Sequence, residues 1–278
     1  MTSLLIFGPG YTASRIAAAL AGRGWSVTGV RREAAPGDVA FADGDAVRAA
    51  IAGATHILSS VPPEDGADPV LVRYGGTLGK ARWLGYLSST GVYGDSGGAW
   101  VDEGAPIGAG RRSARVAADL AWQGLGARIF RLPGIYGPGR SPLDRVVAGT
   151  AHRVDRPGQV FSRIHVDDIV AGVIAALDAP AGAYNLADDL PAPQNEVVSY
   201  AAALLGLAPP PLVALDALSP AARGFYAENR RIANGKAKRL LGWRPRYPDF
   251  RAGLRALSAT ASPTNASAQP AAESSDQR

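Results

Sequence analysis

Apolar positions along the chain fall into short blocks separated by glycine, proline and polar stretches, and the blocks alternate between two patterns. Leu4 to Phe7 is an unbroken apolar run, long enough for a strand buried on both faces. Ser14 to Ala21 is alanine-rich, with Ile16 and Leu20 on one helical face, and Gly22 and Gly24 end it. The alternation then repeats. Strands are predicted at Trp25 to Val30, Val39 to Phe41, His56 to Val61 before Pro62-Pro63, Tyr86 to Thr90, and Arg128 to Leu132 before Pro133. Helices are predicted at Ala46 to Ile51, Leu71 to Lys80 and Ser113 to Trp122. Further on, Val166 to Leu177, Asn195 to Leu205 and Lys236 to Leu241 read as helices and Tyr184 to Leu186 as a short strand. Strands and helices in alternation predict an α/β fold whose parallel sheet is covered on both faces.

The first turn of this pattern carries chemistry. Gly8-Pro9-Gly10-Tyr11-Thr12-Ala13 fits G-x-G-x-x-A, directly after a strand and before a helix. Gly8 permits the tight turn, Gly10 lets backbone approach a pyrophosphate, and Ala13 allows close helix–strand packing. The N–H groups at Tyr11 and Thr12 and the positive helix end then face the phosphates. The pattern predicts a Rossmann-type, doubly wound dinucleotide site, with an ordinary glycine turn of a βα unit as the plainer alternative. Past the motif, where NAD sites present a carboxylate to the ribose 2′-hydroxyl, the chain offers Arg31 and Arg32. An arginine pair suits a 2′-phosphate, so NADP(H) is expected over NAD(H), with Glu33 the residue that a register slip would bring to the ribose. Ordinary solvation of both arginines is the plainer alternative.

Composition narrows the remaining choices. The 278 residues are 47% hydrophobic, which suits a large α/β domain with a smaller lobe. The expected division is 1–145 with 166–182 for the dinucleotide domain and 146–165 with 183–258 for a substrate lobe. Residues 259–278, rich in Ser, Ala and polar residues, are expected to be a disordered tail. There are no cysteines, so thiolate metal sites and cysteine nucleophiles are excluded. The three histidines, His56, His152 and His165, lack metal-ligand spacing, and no metal is expected. The net charge of +5 is spread along the chain without a long basic run, so nucleic acid is not an expected partner. No signal peptide or run of about 20 apolar residues is present, and the expectation is a cytoplasmic protein that acts on a small molecule away from membranes.

Leu87-Ser88-Ser89-Thr90-Gly91-Val92-Tyr93-Gly94-Asp95 resembles the strand-end segment with the active-site serine of the extended short-chain dehydrogenase/reductase superfamily, the NAD-dependent epimerase/dehydratase group. Arg131 to Gly139 is similar to that group's next strand and loop, His165-Val166-Asp167-Asp168 to its following helix start, and Ala183 to Leu186 to its return strand. The resemblance runs from about residue 4 to about residue 257, and the Ser88 to Asp95 stretch is similar to the atypical bacterial YeeZ-like members. It implies that Asp43 lies near the adenine and that Ser60, Val61, Pro62 and Pro133 border the cofactor. It also implies that Ser89 hydrogen-bonds the substrate carbonyl. A strand-end serine bonding nearby backbone is the alternative for Ser89.

The chain departs from this superfamily where proton transfer should occur. The acid–base unit Tyr-x-x-x-Lys is missing: no tyrosine lies between Tyr93 and Tyr136, and no lysine between Lys80 and Lys236. The best register puts Arg111 at the tyrosine and Arg115 at the lysine. Arg115 could keep the ribose contact, but a guanidinium does not give up its proton near neutral pH. Tyr93 is the nearest replacement by sequence, with a packed aromatic as its alternative, and His165 is a further candidate. Phe161 stands where nucleotide-sugar enzymes of the group often place an arginine, with Arg163 nearby, which speaks against a nucleotide-diphospho-sugar substrate. Two functions stay open: an NAD(P)-dependent oxidoreductase or epimerase/dehydratase-like enzyme on a small polar carbonyl or sugar-like substrate, and a non-catalytic NADP(H)-binding redox sensor. Helices 71–80 and 113–122 could support a homodimer, through Ala114, Val116, Ala117, Ala118 and Leu120, or could cover the chain's own sheet.

Overall fold

The computed structural model describes residues 2–108, 110 and 113–261. Its first strand, β1 (Ser3–Phe7), sends Leu4 and Ile6 into one apolar core and Leu5 and Phe7 into another, as the period of two requires. Both faces therefore need cover. Helix α1 (Tyr11–Ala21) brings Ile16 and Leu20 to the first core. After β2 (Ser26–Arg31) and β3 (Val39–Ala40), α2 (Gly44–Gly53) brings Val47 and Ile51 to the second. Helix α3 (Pro69–Leu78), between β4 (His56–Ser59) and β5 (Trp83–Ser89), adds Val70, Tyr74 and Leu78 to that face. Asp68 starts α3 by accepting hydrogen bonds from the Val70 and Leu71 amides, and its other oxygen accepts from the Trp122 indole at 2.9 Å.

Beyond β6 (Trp100–Val101), α4 (Ser113–Gly124) is followed by β7 (Arg128–Leu132), β8 (Gly134–Tyr136), α5 (Pro142–Val147), β9 (Arg153–Val154), β10 (Arg163–His165) and α6 (Val166–Ala175). The chain closes with β11 (Gly182–Asn185), α7 (Gln194–Leu204), β12 (Leu212–Val213), α8 (Pro220–Tyr226), β13 (Arg231–Ile232), α9 (Gly235–Leu241) and α10 (Phe250–Ala261). Seven strands form one parallel sheet in the order β11-β7-β5-β4-β1-β2-β3. The order reverses at β1, so a crevice opens between the carboxyl ends of β1 and β4, where ligands bind in this architecture. A second lobe forms where α5, α7 and α10 pack Leu143, Val197, Ala201, Phe250 and Leu254 together.

Three expected boundaries change. The division at 145/146 cuts α5, whose Leu143 belongs to the lobe's core. The division at 182/183 cuts β11, which is the edge strand of the main sheet, and α9 returns Ala237 to the sheet's core. The tail expected from 259 begins no earlier than the end of α10 at Ala261, and residues 262–278 lie outside the described residues. On α4, Ala118 is buried against the chain's own sheet and Val116 packs beside Tyr93, which leaves Ala117 and Leu120 exposed. No helix among the described residues is long and apolar enough to cross a membrane.

Candidate active site

Gly8 ends β1 at φ +70°, a conformation that glycine adopts without strain. Its amide donates to Val30 O at 3.0 Å, and Ser60 Oγ donates to its carbonyl, so the turn is pinned between two neighbouring strands. A Cβ at Gly8 would stand 2.9 Å from Val61 Cγ2. Gly10 differs: a Cβ there would meet no protein atom closer than Gly8 O at 3.8 Å. The protein does not fill the space that Gly10 keeps clear. No side chain caps the first turn of α1 and no acid stands in it, so its N–H groups and positive end open into a cleft of about 920 Å³.

Gly8, Gly10, Tyr11, Thr12, Ala13, Arg31, Arg32, Ser60, Val61 and Pro62 all border this cleft. Arg31 is held by Asp38 at 2.5 Å, a carboxylate that also accepts from the Gly29 amide. Arg32 is 89% exposed and 4.0 Å from Glu64, free to turn toward a ligand. Glu33 also reaches the cleft. Asp43 does not border it; its carboxylate caps α2 by accepting from the Ala46 amide at 3.0 Å. Sequence reasoning missed Arg140. The Tyr11 hydroxyl and Arg15 both donate to Pro138 O, which latches the loop after β8 onto α1 and brings Arg140 over the Tyr11 ring at the edge of the cleft.

A second cavity, of about 970 Å³, shares Ser88, Leu132, Ile135 and Arg140 with the first. Ser89, Arg115 and Pro133 border this one. Ser89 Oγ accepts from the Gly91 amide at 3.1 Å, capping a short 3₁₀ turn at Thr90–Tyr93 and leaving its own hydrogen to donate. Arg115 donates to the Tyr86 hydroxyl at 2.7 Å, and Tyr86 stacks on Trp122 with ring centroids 5.5 Å apart. Burial pushes the Tyr86 phenol up to about 12, against the pull of Arg115. Arg111 lies outside the described residues.

A polar network lies beneath the serines. Asp119, fully buried on α4, accepts from Arg131 Nε and Nη2 (3.1 and 2.8 Å), from Ser88 Oγ (2.6 Å) and from Gln123 (2.7 Å). Arg131 also donates to the Tyr93 hydroxyl, which donates in turn to Asn185 Oδ1 at 2.7 Å. Burial alone would lower the Arg131 pKa, but the Asp119 and Tyr93 contacts hold it above the ordinary arginine value. The expectation for Tyr93 is corrected here. It is 4% exposed, borders neither cavity and has its hydroxyl committed to two buried partners. Burial raises its phenol to about 12, so it is a packed residue that carries the network to β11. His165 is also structural. Its Nδ1 accepts from the Asp167 amide to cap α6, its ring lies against Tyr136 and Tyr247, and burial lowers its pKa. The described residues contain no group of three or more His, Cys, Asp or Glu that could hold a metal.

No family model matches the chain. A structure from Silicibacter pomeroyi, a conserved protein of unknown function, is 42% identical, covers 94% of this chain and 99% of its own, and superposes with a TM-score of 0.83. A human epimerase family protein determined with NADPH shares the fold at 17% identity, with a TM-score of 0.74 over 93% of this chain and 99% of its own. The chain belongs to the family of the Silicibacter protein and shares its fold with the human epimerase family protein. Two curated relatives match over part of their length. A Streptomyces 3-diazoavenalumate denitrifying reductase is 34% identical over 147 residues, 49% of this chain and 48% of its own. Escherichia coli (strain K12) Protein YeeZ is 33% identical over 172 residues, 59% and 58% of the two chains. The chain thus spans about half the length of the curated relatives that it matches.

Proposed function

We propose that the chain is a reductase that takes NADP(H) in the glycine cleft and its substrate in the adjoining cavity. The observation that carries this is the junction: the two spaces share Ser88, Leu132, Ile135 and Arg140, with Ser89 bordering the second. The residues fit a dinucleotide. Gly10 clears room at a helix end with open N–H groups, Arg140 stands at the border, and Arg31 and Arg32 offer charge at the end of β2. When bound, the nicotinamide supplies or accepts hydride. Ser89 Oγ, fixed by the Gly91 amide, donates its hydrogen to the substrate oxygen. Asp119 and Arg131 keep Ser88 and the end of β5 in position.

The missing Tyr-x-x-x-Lys pair supports reduction over epimerisation or dehydration. An epimerase or dehydratase must take a proton from its substrate, and Tyr93 has no access to one. A reduction needs a hydrogen bond to the developing oxyanion and a proton that water can deliver. The Streptomyces relative, itself a reductase, supports the same direction. The same missing pair favours a second reading, a non-catalytic sensor of the cofactor's redox state. A single-turnover assay of NADPH absorbance against a panel of carbonyl compounds separates them: consumption that drops by about 10²–10³ in Ser89→Ala is the expected result. Tight NADPH binding without consumption of any compound would favour the sensor.

Cofactor choice rests on the arginines. Each charge-assisted contact to a 2′-phosphate is worth about 1.5–3 kcal/mol. Arg31→Ala with Arg32→Ala should therefore weaken NADPH by at least about 10-fold and leave NADH nearly unchanged in a fluorescence titration. Equal losses for both nucleotides would count against NADP(H).

A further inference from the structure

The second cavity has an excess of positive charge that the protein leaves unanswered. Five arginines border it, against two acids. Both acids are committed: Asp144 accepts from the Ser141 amide and hydroxyl, and Glu228 pairs with Arg230 at 2.9 Å. Arg115 is tied to Tyr86. Arg163, 7% exposed, spends its guanidinium on neutral acceptors, namely Phe161 O, Ala192 O and Gln194 Oε1 at 2.8–2.9 Å. Arg145, on α5, has no ion pair among the described residues, although its side chain borders the same wall.

Arg145 and Arg163 act on each other as like charges. Burial is the main cause that lowers Arg163, to about 10, and Arg145 lowers it further. Asp188, the buried acid near Arg163, is itself pushed up to about 8 by burial, and its charge draws Arg163 upward, against Arg145. Beside the two arginines stand aromatic rings. Phe161 and Tyr226 meet edge-to-face with centroids 5.4 Å apart, and both border the cavity with His152. Burial raises the Tyr226 phenol, while Arg145 and Arg163 both pull it the other way, so all three lie within electrostatic reach.

We infer that this wall is the anchor for a carboxylic acid with a flat apolar body, with Arg145 gripping the carboxylate, Arg163 supplying charge from behind, and Phe161 and Tyr226 holding the flat body. Guanidinium forks match carboxylates and phosphates alike. Arg140 stands apart at the junction with the glycine cleft, over the Tyr11 ring, so beside the Phe161 and Tyr226 rings the wall offers the Arg145 fork, which fits a single carboxylate better than a diphosphate. The inference rests on the reading of this cavity as the substrate site and names the substrate's class.

The test is a calorimetric titration with cinnamate, its neutral amide and UDP-glucose, run with and without saturating NADPH. NADPH binding is measured first, so failure of the cofactor reading is seen separately from failure of the acid to bind. Cinnamate should bind at least about 10-fold more tightly than cinnamamide. Arg145→Gln should erase that preference, Arg145→Lys should retain part of it, and Tyr226→Ala should weaken both ligands while NADPH affinity stays unchanged. Equal binding of acid and amide, absence of binding by either, or a preference that survives Arg145→Gln would overturn the inference. UDP-glucose that binds more tightly than cinnamate through Arg145 would overturn it in favour of a diphosphate.

Discussion

Gly10→Val should abolish dinucleotide binding while leaving the fold intact. A Cβ there meets Gly8 O at 3.8 Å, an ordinary contact, and nothing closer beyond its chain neighbours. The added side chain projects into the cleft at the open end of α1. Exchanging glycine at this helix start costs up to about 1 kcal/mol, so Tm should fall by no more than about 2–4 °C. The affinity for NADPH should fall on the order of 100-fold or more, because the diphosphate can no longer reach the amides. Gly8→Ala is the contrast. It forces a positive φ on a residue with a Cβ and sets that Cβ 2.9 Å from Val61, so the loss should appear in stability first. Unchanged NADPH affinity in Gly10→Val would mean that the nucleotide does not lie where the glycine leaves room.

Asp119→Ala should be the most destabilising single change near the site. The carboxylate is fully buried and answers Arg131, itself 2% exposed, through two hydrogen bonds. Removing it strands a buried guanidinium and also takes away the partners of Ser88 and Gln123. The expected cost is about 3–5 kcal/mol in denaturant unfolding. The double variant Asp119→Leu with Arg131→Met, which removes both charges, should regain much of that loss. A cost under about 1 kcal/mol would show that water or rearrangement compensates the pair, and that the network does not hold the end of β5.

The sheet was legible because its strands are buried on both faces. Leu4 to Phe7 is a short apolar run closed by glycine, Arg128 to Leu132 carries Ile129, Phe130 and Leu132 before a proline, and the structure ends both strands at the expected residues. The cradle was legible because Gly8 and Gly10 are needed for backbone reasons that leave a mark in sequence. Other features depend on contacts distant in the chain. The pairing of Asp119 with Arg131 joins a helix to a strand, and its trace in sequence is modest: an acid next to Ala118 on the buried stripe of α4, and an arginine inside an apolar strand. Asp38, which takes Arg31, sits in a loop whose course the pattern does not fix. Tyr93 is near Ser89 in sequence, yet the 3₁₀ turn between them carries its hydroxyl away from the cavity to Asn185. The lobe was harder to read because β8 and α5 are short, and Tyr136 and Leu143 make sense only once α7 and α10 cover them.

The central claim is that the open end of α1 receives the diphosphate of a pyridine nucleotide. Isothermal titration calorimetry of the folded protein with NADPH and with NADH tests it directly. The account predicts saturable binding of one nucleotide per chain, tighter for NADPH. Heats equal to those of dilution for both nucleotides would contradict it.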